Sequence, residues 1–202
     1  MYKQDQKAVQ EWVNTPDRLH EMITMVVLSY RQPWFKIGDE LTDVRENGER
    51  SRFLFSFKRD AFKQSHLSRE RLFEHATAVR NGASPGSYML ELTKVKGIGL
   101  AKAGFILQLS CGLGGCLDSH NVRRFGINTS VLRLSANERK RRDSILRYLD
   151  LCNTLGGSEY LWDSWCELIY ERQRKWWMCA EQVSAAHYGF LANDLEYTPW
   201  ME

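Results

Sequence analysis

The sequence predicts a compact, bilobal, all-α helical domain, and three observations carry that expectation. Apolar residues recur at intervals of three and four in segment after segment. Helix-start signals stand at Thr15-Pro16, Ser84-Pro85 and Ser135-Ala136-Asn137-Glu138, each a cap residue followed by proline or by a glutamate three positions on. The 202 residues are 43% hydrophobic and 26% charged with only 4 prolines, a globular composition that excludes a disordered chain. That length suits one domain, or two small lobes sharing a core.

Taken in order, Thr15-Pro16-Asp17 opens a helix in which Leu19, Met22, Ile23, Val26 and Val27 share a face, and Pro33 ends it. Arg31-Gln32-Pro33-Trp34 is the loop behind it. Residues 47–58 alternate in part and are expected to be a short extended piece. Ser68 opens a helix carrying Leu72, Ala76 and Val79, which closes near Asn81-Gly82. The next helix, from Ser84-Pro85, presents Tyr88, Met89, Leu92 and Val95. Gly97-Ile98-Gly99 breaks it, and Leu100 to Leu109 resumes the pattern. The capping-box pattern at Ser135–Glu138 starts a helix to about Leu155, stopped by Gly156-Gly157. A last helix from Glu159 to Trp177 sets Leu161, Trp165, Leu168 and Ile169 on one face. No repeat, linker or heptad run divides residues 1–202, which read as a single domain.

The apolar stretch Met22 to Leu28 is too short to span a bilayer, and MYKQDQKAVQ has no apolar signal core. A cytoplasmic protein follows, nucleoid-associated or in a host cell's cytoplasm if viral, with no membrane partner and a monomeric state. Cys111, Cys116, Cys152, Cys166 and Cys179 are then expected to be reduced thiols. His20, His66, His75 and His187 are scattered without metal-ligand spacing, so no metal is expected.

The net charge of +3 is unevenly spread. Residues 1–93 carry +1, residues 94–147 carry +8, and residues 148–202 carry −6. A basic belt beside an acidic end points to a polyanion partner, double-stranded DNA first; the bland alternative is a solvated face of Arg139 to Arg142.

Within the belt, Lys96-Gly97-Ile98-Gly99 joins two amphipathic helices at about 85–112. Glycines allow a tight turn, so the second helix starts at once with unpartnered amides at the positive end of its dipole. Such a terminus holds a phosphate. Lys96 and Lys102 flank it, and Ile98 plugs the space between the helices. About twenty residues on comes Leu117-Asp118-Ser119-His120.

Lys96-Gly97-Ile98-Gly99, Ala103-Gly104-Phe105-Ile106-Leu107 and Leu117-Asp118-Ser119-His120, followed by Val122-Arg123-Arg124, together resemble the helix-hairpin-helix DNA glycosylase superfamily over roughly forty residues. Val27-Leu28-Ser29-Tyr30-Arg31-Gln32 is similar, more weakly, to the family's entry segment, where a residue fills the hole left by an extruded base. The resemblance implies a bilobal glycosylase-type fold, and a DNA-binding set of Lys96, Gly97, Ile98, Gly99, Lys102, Arg31, Gln32, Trp34, Arg123 and Arg124. Trp34 and Phe35 would stack or wedge beside the DNA.

It also implies the chemistry. Breaking an N-glycosidic bond needs the base out of the stack, and its departure leaves positive charge on the sugar. A fixed carboxylate beside C1′ stabilises that charge and orients the attacking water. Asp118 matches the family's carboxylate, with a plain helix cap as the alternative, the two roles being compatible. His120 would orient a substrate phosphate or the Asp118 carboxylate, unless it is simply structural. The lysine nucleophile of lyase-active members falls on Ala101, and Lys102 lies about 100° further round the helix. No Schiff base and no lyase step are therefore expected, and Lys102 becomes a phosphate contact. The iron–sulfur cluster of some members is not expected either, because Cys152, Cys166 and Cys179 are spaced by 14 and 13 with no close pair; no cofactor is foreseen. Trp162, Trp165, Trp176 and Trp177 read as core or lobe interface.

The expected activity is monofunctional base excision on duplex DNA. A second reading is a bacteriophage relative that attaches amino acids or polyamines to activated hydroxymethyl-thymine, displacing pyrophosphate. A third is a non-catalytic module gripping DNA phosphates.

Overall fold

The computed structural model describes residues 2–30 and 36–177, with side chains described over 6–30 and 36–167. Helices follow one another: α1 (Tyr2–Trp12), α2 (Pro16–Leu28), α3 (Ile37–Asn47), α4 (Phe57–Leu67), α5 (Arg69–Arg80), α6 (Pro85–Leu92), α7 (Leu100–Cys111), α8 (Ser119–Arg124), α9 (Glu138–Thr154) and α10 (Gly157–Trp177). Short 3-10 turns lie at Gly48–Arg50 and Thr129–Leu132, and there is no strand among the described residues. The all-α class is as expected. No helix of the described residues is long and apolar enough to cross a membrane.

Two helices are buried almost all round and organise the rest. In α2, Thr15 caps the first turn by accepting from Arg18 N, Pro16 occupies the first position, and every residue from Met22 to Leu28 is buried. This helix touches α3, α4, α5 and α7. In α7, Ala103 to Ser110 are all buried, and the helix touches α1, α2, α5, α6 and α9. The buried apolar side chains, Val122 apart, form one continuous cluster from Val9 to Cys166.

The extended piece expected over 47–58 does not form. Gly48–Arg50 makes a 3-10 turn and α4 begins at Phe57. The reason lies in what α4 buries: Lys58, Ala61 and Ser65. An inward face built on a lysine and a serine leaves no apolar period to read. The capping box at Ser135–Glu138 is also corrected. Asn137 is the cap, its Oδ1 accepting from Lys140 N at 3.1 Å, while Ser135 Oγ accepts only from Asn137 N. Asparagine caps as well as serine and sits two residues nearer the helix, so Glu138 falls in the first position and pairs with Arg142.

Candidate functional site

The hairpin between α6 and α7 uses its glycines differently. Gly97 has φ +86, and a Cβ there would lie 2.9 Å from the Phe57 ring, so both backbone and packing demand glycine. Gly99 has an ordinary φ of −87 and open space around its Cβ position. Nothing inside the fold requires glycine there. Gly99 is the cap residue of α7 and supplies no side-chain acceptor, so no side chain of its own covers the first amides of the helix. Ile98 is buried and its N–H donates to Val95 O at 3.0 Å, which closes the turn and makes it the plug foreseen above.

One face of α4 holds the outer side of the turn. Phe57 packs on Gly97, Gln64 Oε1 accepts from Lys96 N at 2.7 Å, and Asp60 pairs with Lys96 Nζ at 2.7 Å. Lys96 is exposed, and its hydrogen bond and charge hold the Asp60 carboxyl below its usual range. None of these α4 contacts follows from an extended reading of this region, although Phe57, Asp60 and Gln64 stand at helical spacing.

Two lysines converge on the end of α2. Lys102 Nζ donates to Val26 O at 2.6 Å and stands 5.5 Å from the Tyr30 ring centre. Lys58, fully buried, donates from Nζ to Leu28 O at 2.9 Å. Ser29 N serves Met25 O and Tyr30 N serves Val27 O, so all four terminal carbonyls of α2 are satisfied. Cations at this negative helix end are favoured by its dipole. Burial nevertheless lowers the Lys102 amine to about 8, with Lys58 lowering it further and Cys116 and Asp118 opposing. Burial likewise lowers Lys58 and raises Glu40, a 3% exposed carboxyl on α3 whose Oε2 has no partner. Lys102 is thus half-buried, with its amine turned onto the end of α2.

Asp118 is half-buried and caps α8. Its Oδ1 accepts from His120 N at 2.9 Å and from Asn121 N at 3.0 Å. Both cap bonds fall on one oxygen, which leaves Oδ2 outside the cap. Lys102 thus joins the first turn of α7 to the end of α2, and Asp118 is among the groups that favour its charge.

The remaining candidates divide. His120 is half-buried in the first turn of α8. Arg123 is exposed. Arg124 is exposed as well and is tied to α10, donating to Ser164 O at 3.1 Å and pairing with Glu167 at 2.8 Å. Arg31, Gln32, Trp34 and Phe35 lie outside the described residues, as do Cys179 and His187. Trp162 and Trp165 are buried and stacked at 5.6 Å, in the core role assigned to them. Cys111, Cys116 and Cys152 are unbridged, and among the described residues no cluster of His, Cys, Asp or Glu could hold a metal.

Fold and site together define an all-helical chain with a glycine hairpin, an uncapped helix N-terminus and a carboxylate that caps a neighbouring short helix. No protein-family model, curated protein or solved structure matches the chain.

Proposed function

We propose that this chain is a DNA-binding enzyme that hydrolyses the N-glycosidic bond of a flipped nucleotide without cutting the backbone. The observation that supports the reading is a hairpin whose second glycine leaves the first amides of α7 without a side-chain cap, followed along the chain by a carboxylate, Asp118, held at one oxygen by two backbone amides. The uncapped amides after Gly99 bind a phosphate of the strand, with no side chain at Gly99 in the way. Asp118 holds its carboxylate toward the sugar, Oδ1 fixed by two amides. Water bonds to C1′ and gives up a proton, the glycosidic electron pair leaves with the base, which takes up a proton in return, and the Asp118 carboxylate stabilises the positive charge that develops on the sugar.

Lys102 is not the nucleophile in this scheme. Its amine is committed to the Val26 carbonyl. Borohydride should therefore trap no covalent adduct with DNA.

Asp118→Asn separates the two roles of this residue. Asparagine caps as well as aspartate, so the fold is retained while the charge is lost. Oligonucleotides bearing damaged or modified bases, incubated with the protein and heated in alkali, should break at abasic sites with the native chain and not with the variant, at similar DNA affinity. Equal cleavage by both would refute the assignment of the carboxylate.

A further inference from the structure

The four residues leading into Asp118, Gly114 to Leu117, run without helix or strand, yet all are buried. Buried backbone outside secondary structure needs partners for its polar groups, and here side chains supply them. Tyr148, fully buried on α9, donates from its hydroxyl to Gly115 O at 2.7 Å and accepts from Leu117 N at 3.2 Å. Gln108 on α7 accepts from Cys116 N at 3.1 Å, and Asn121 Nδ2 donates to Cys116 O. One hydroxyl thus clamps the backbone on both sides of Cys116, the last clamp falling on the residue before Asp118.

Close packing leaves the clamp a single position. A Cβ at Gly104 would overlap the Tyr148 ring and hydroxyl and lie 2.6 Å from Gly115 O. A Cβ at Gly115 would overlap Leu161 on α10. The small face of α7 therefore admits both the phenol and the segment it holds, and α10 closes the other side.

We infer that Tyr148 is a positioning residue for Asp118: its hydroxyl fixes the Gly115–Leu117 backbone, and so the direction from which the carboxylate meets the sugar. The inference rests on the enzymatic reading above, and it adds a residue some thirty positions away that no motif contains. Reacting groups tolerate little displacement, and a shift of about 1 Å can cost on the order of 100-fold in rate.

Tyr148→Phe removes the hydroxyl and keeps the ring that fills the space beside Gly104. Under single-turnover conditions at saturating DNA, its rate of abasic-site formation should fall about 10- to 100-fold, while DNA affinity stays within about twofold. Combined with Asp118→Asn, it should add nothing to the loss, because both act through one carboxylate. Full turnover in folded Tyr148→Phe, or a loss of affinity equal to the loss of rate, would overturn the inference. Amide hydrogen exchange gives a readout independent of catalysis. Protection at His120 and Asn121, whose N–H groups bond to Asp118, should drop in Tyr148→Phe; unchanged protection would overturn positioning even if the chain were shown to be no glycosylase. If the variant does not fold, the native protein still decides: the Leu117 amide should exchange in step with those of His120 and Asn121, and independent rates would sink the clamp.

Discussion

Lys102 Nζ hydrogen-bonds Val26 O at 2.6 Å, so a lysine on the first turn of α7 is bound to the last turn of α2. The bond orders the approach to the candidate site, and it does so with an ammonium whose burial disfavours its charge. Lys58 makes the neighbouring bond to Leu28 O from full burial. Together they turn a helix end that would otherwise expose carbonyls into a closed surface.

Lys102→Met tests that relationship. The folded Lys102 amine releases its proton near pH 8, whereas in the unfolded chain the value is 10.5. Between those values the unfolded state binds more protons, so this group makes stability rise with pH from about 8 to 10.5, and its cost is present in full below 8. Methionine removes the titration. Val26 O keeps its bond from Ser29 Oγ, and the cost of burying the ammonium goes with the lysine, so the variant should be the more stable of the two at pH 7. Urea unfolding from pH 7 to 10.5 should show the rise for the native chain and not for the variant.

The two hairpin glycines should respond in opposite ways. Gly97→Ala meets a φ of +86 and the Phe57 ring, and should cost about 1 to 3 kcal/mol. Gly99→Ala meets neither, and should leave stability within about 1 kcal/mol. Its methyl instead stands outside the first amides of α7, and DNA affinity should fall several-fold. A thermal melt and a filter-binding titration of each variant separate a glycine that the fold needs from one that a ligand needs. Unchanged affinity in Gly99→Ala would remove the phosphate from this terminus.

How much of this was legible beforehand follows from which groups face inward. The hairpin, its plug Ile98, and the helices at Thr15-Pro16, Ser68 and Ser84-Pro85 are announced by apolar period and caps. The α4 helix is not, because Lys58 and Ser65 occupy its buried face and become acceptable there only through Leu28 O and His20. Tyr148 belongs to no motif, and only the folded backbone of Gly115 and Leu117 reveals a use for its hydroxyl. Polar groups that serve other segments leave no trace in local periodicity.

Lys96 and Arg124 both lie in the basic belt, but only one should contribute to salt dependence. Lys96 is exposed and paired with Asp60 across a solvated surface, a contact a phosphate can replace. Arg124, exposed like Lys96, is held by two bonds to α10, to Ser164 O and to Glu167. In a DNA-binding titration over salt, Lys96→Ala should reduce the slope by about 0.9, Asp60→Asn should tighten binding at low salt, and Arg124→Ala should leave the slope unchanged while lowering the melting temperature. A slope that falls with Arg124 and not with Lys96 would move the interface to the other end of the belt.

His20 gives the fold an acid-sensitive point on α2, against α4. Its ring is buried on α2 with Nδ1 at 3.1 Å from Ser65 Oγ and Nε2 without a partner. Burial lowers it to about 4, the nearby His66 and Arg69 lower it further, and Asp17 opposes them. From pH 6.5 down to about 4 the unfolded chain takes a proton that the folded chain refuses, so stability drops through that window and is level below it. At 1.36 kcal/mol per pH unit the loss is about 3 kcal/mol. His20→Gln keeps a polar partner for Ser65 and cannot titrate, so urea unfolding at pH 7, 6, 5 and 4 should show a shallower decline in the variant. Parallel declines would mean that the proton enters His20 in the folded protein, and that the packing around it yields.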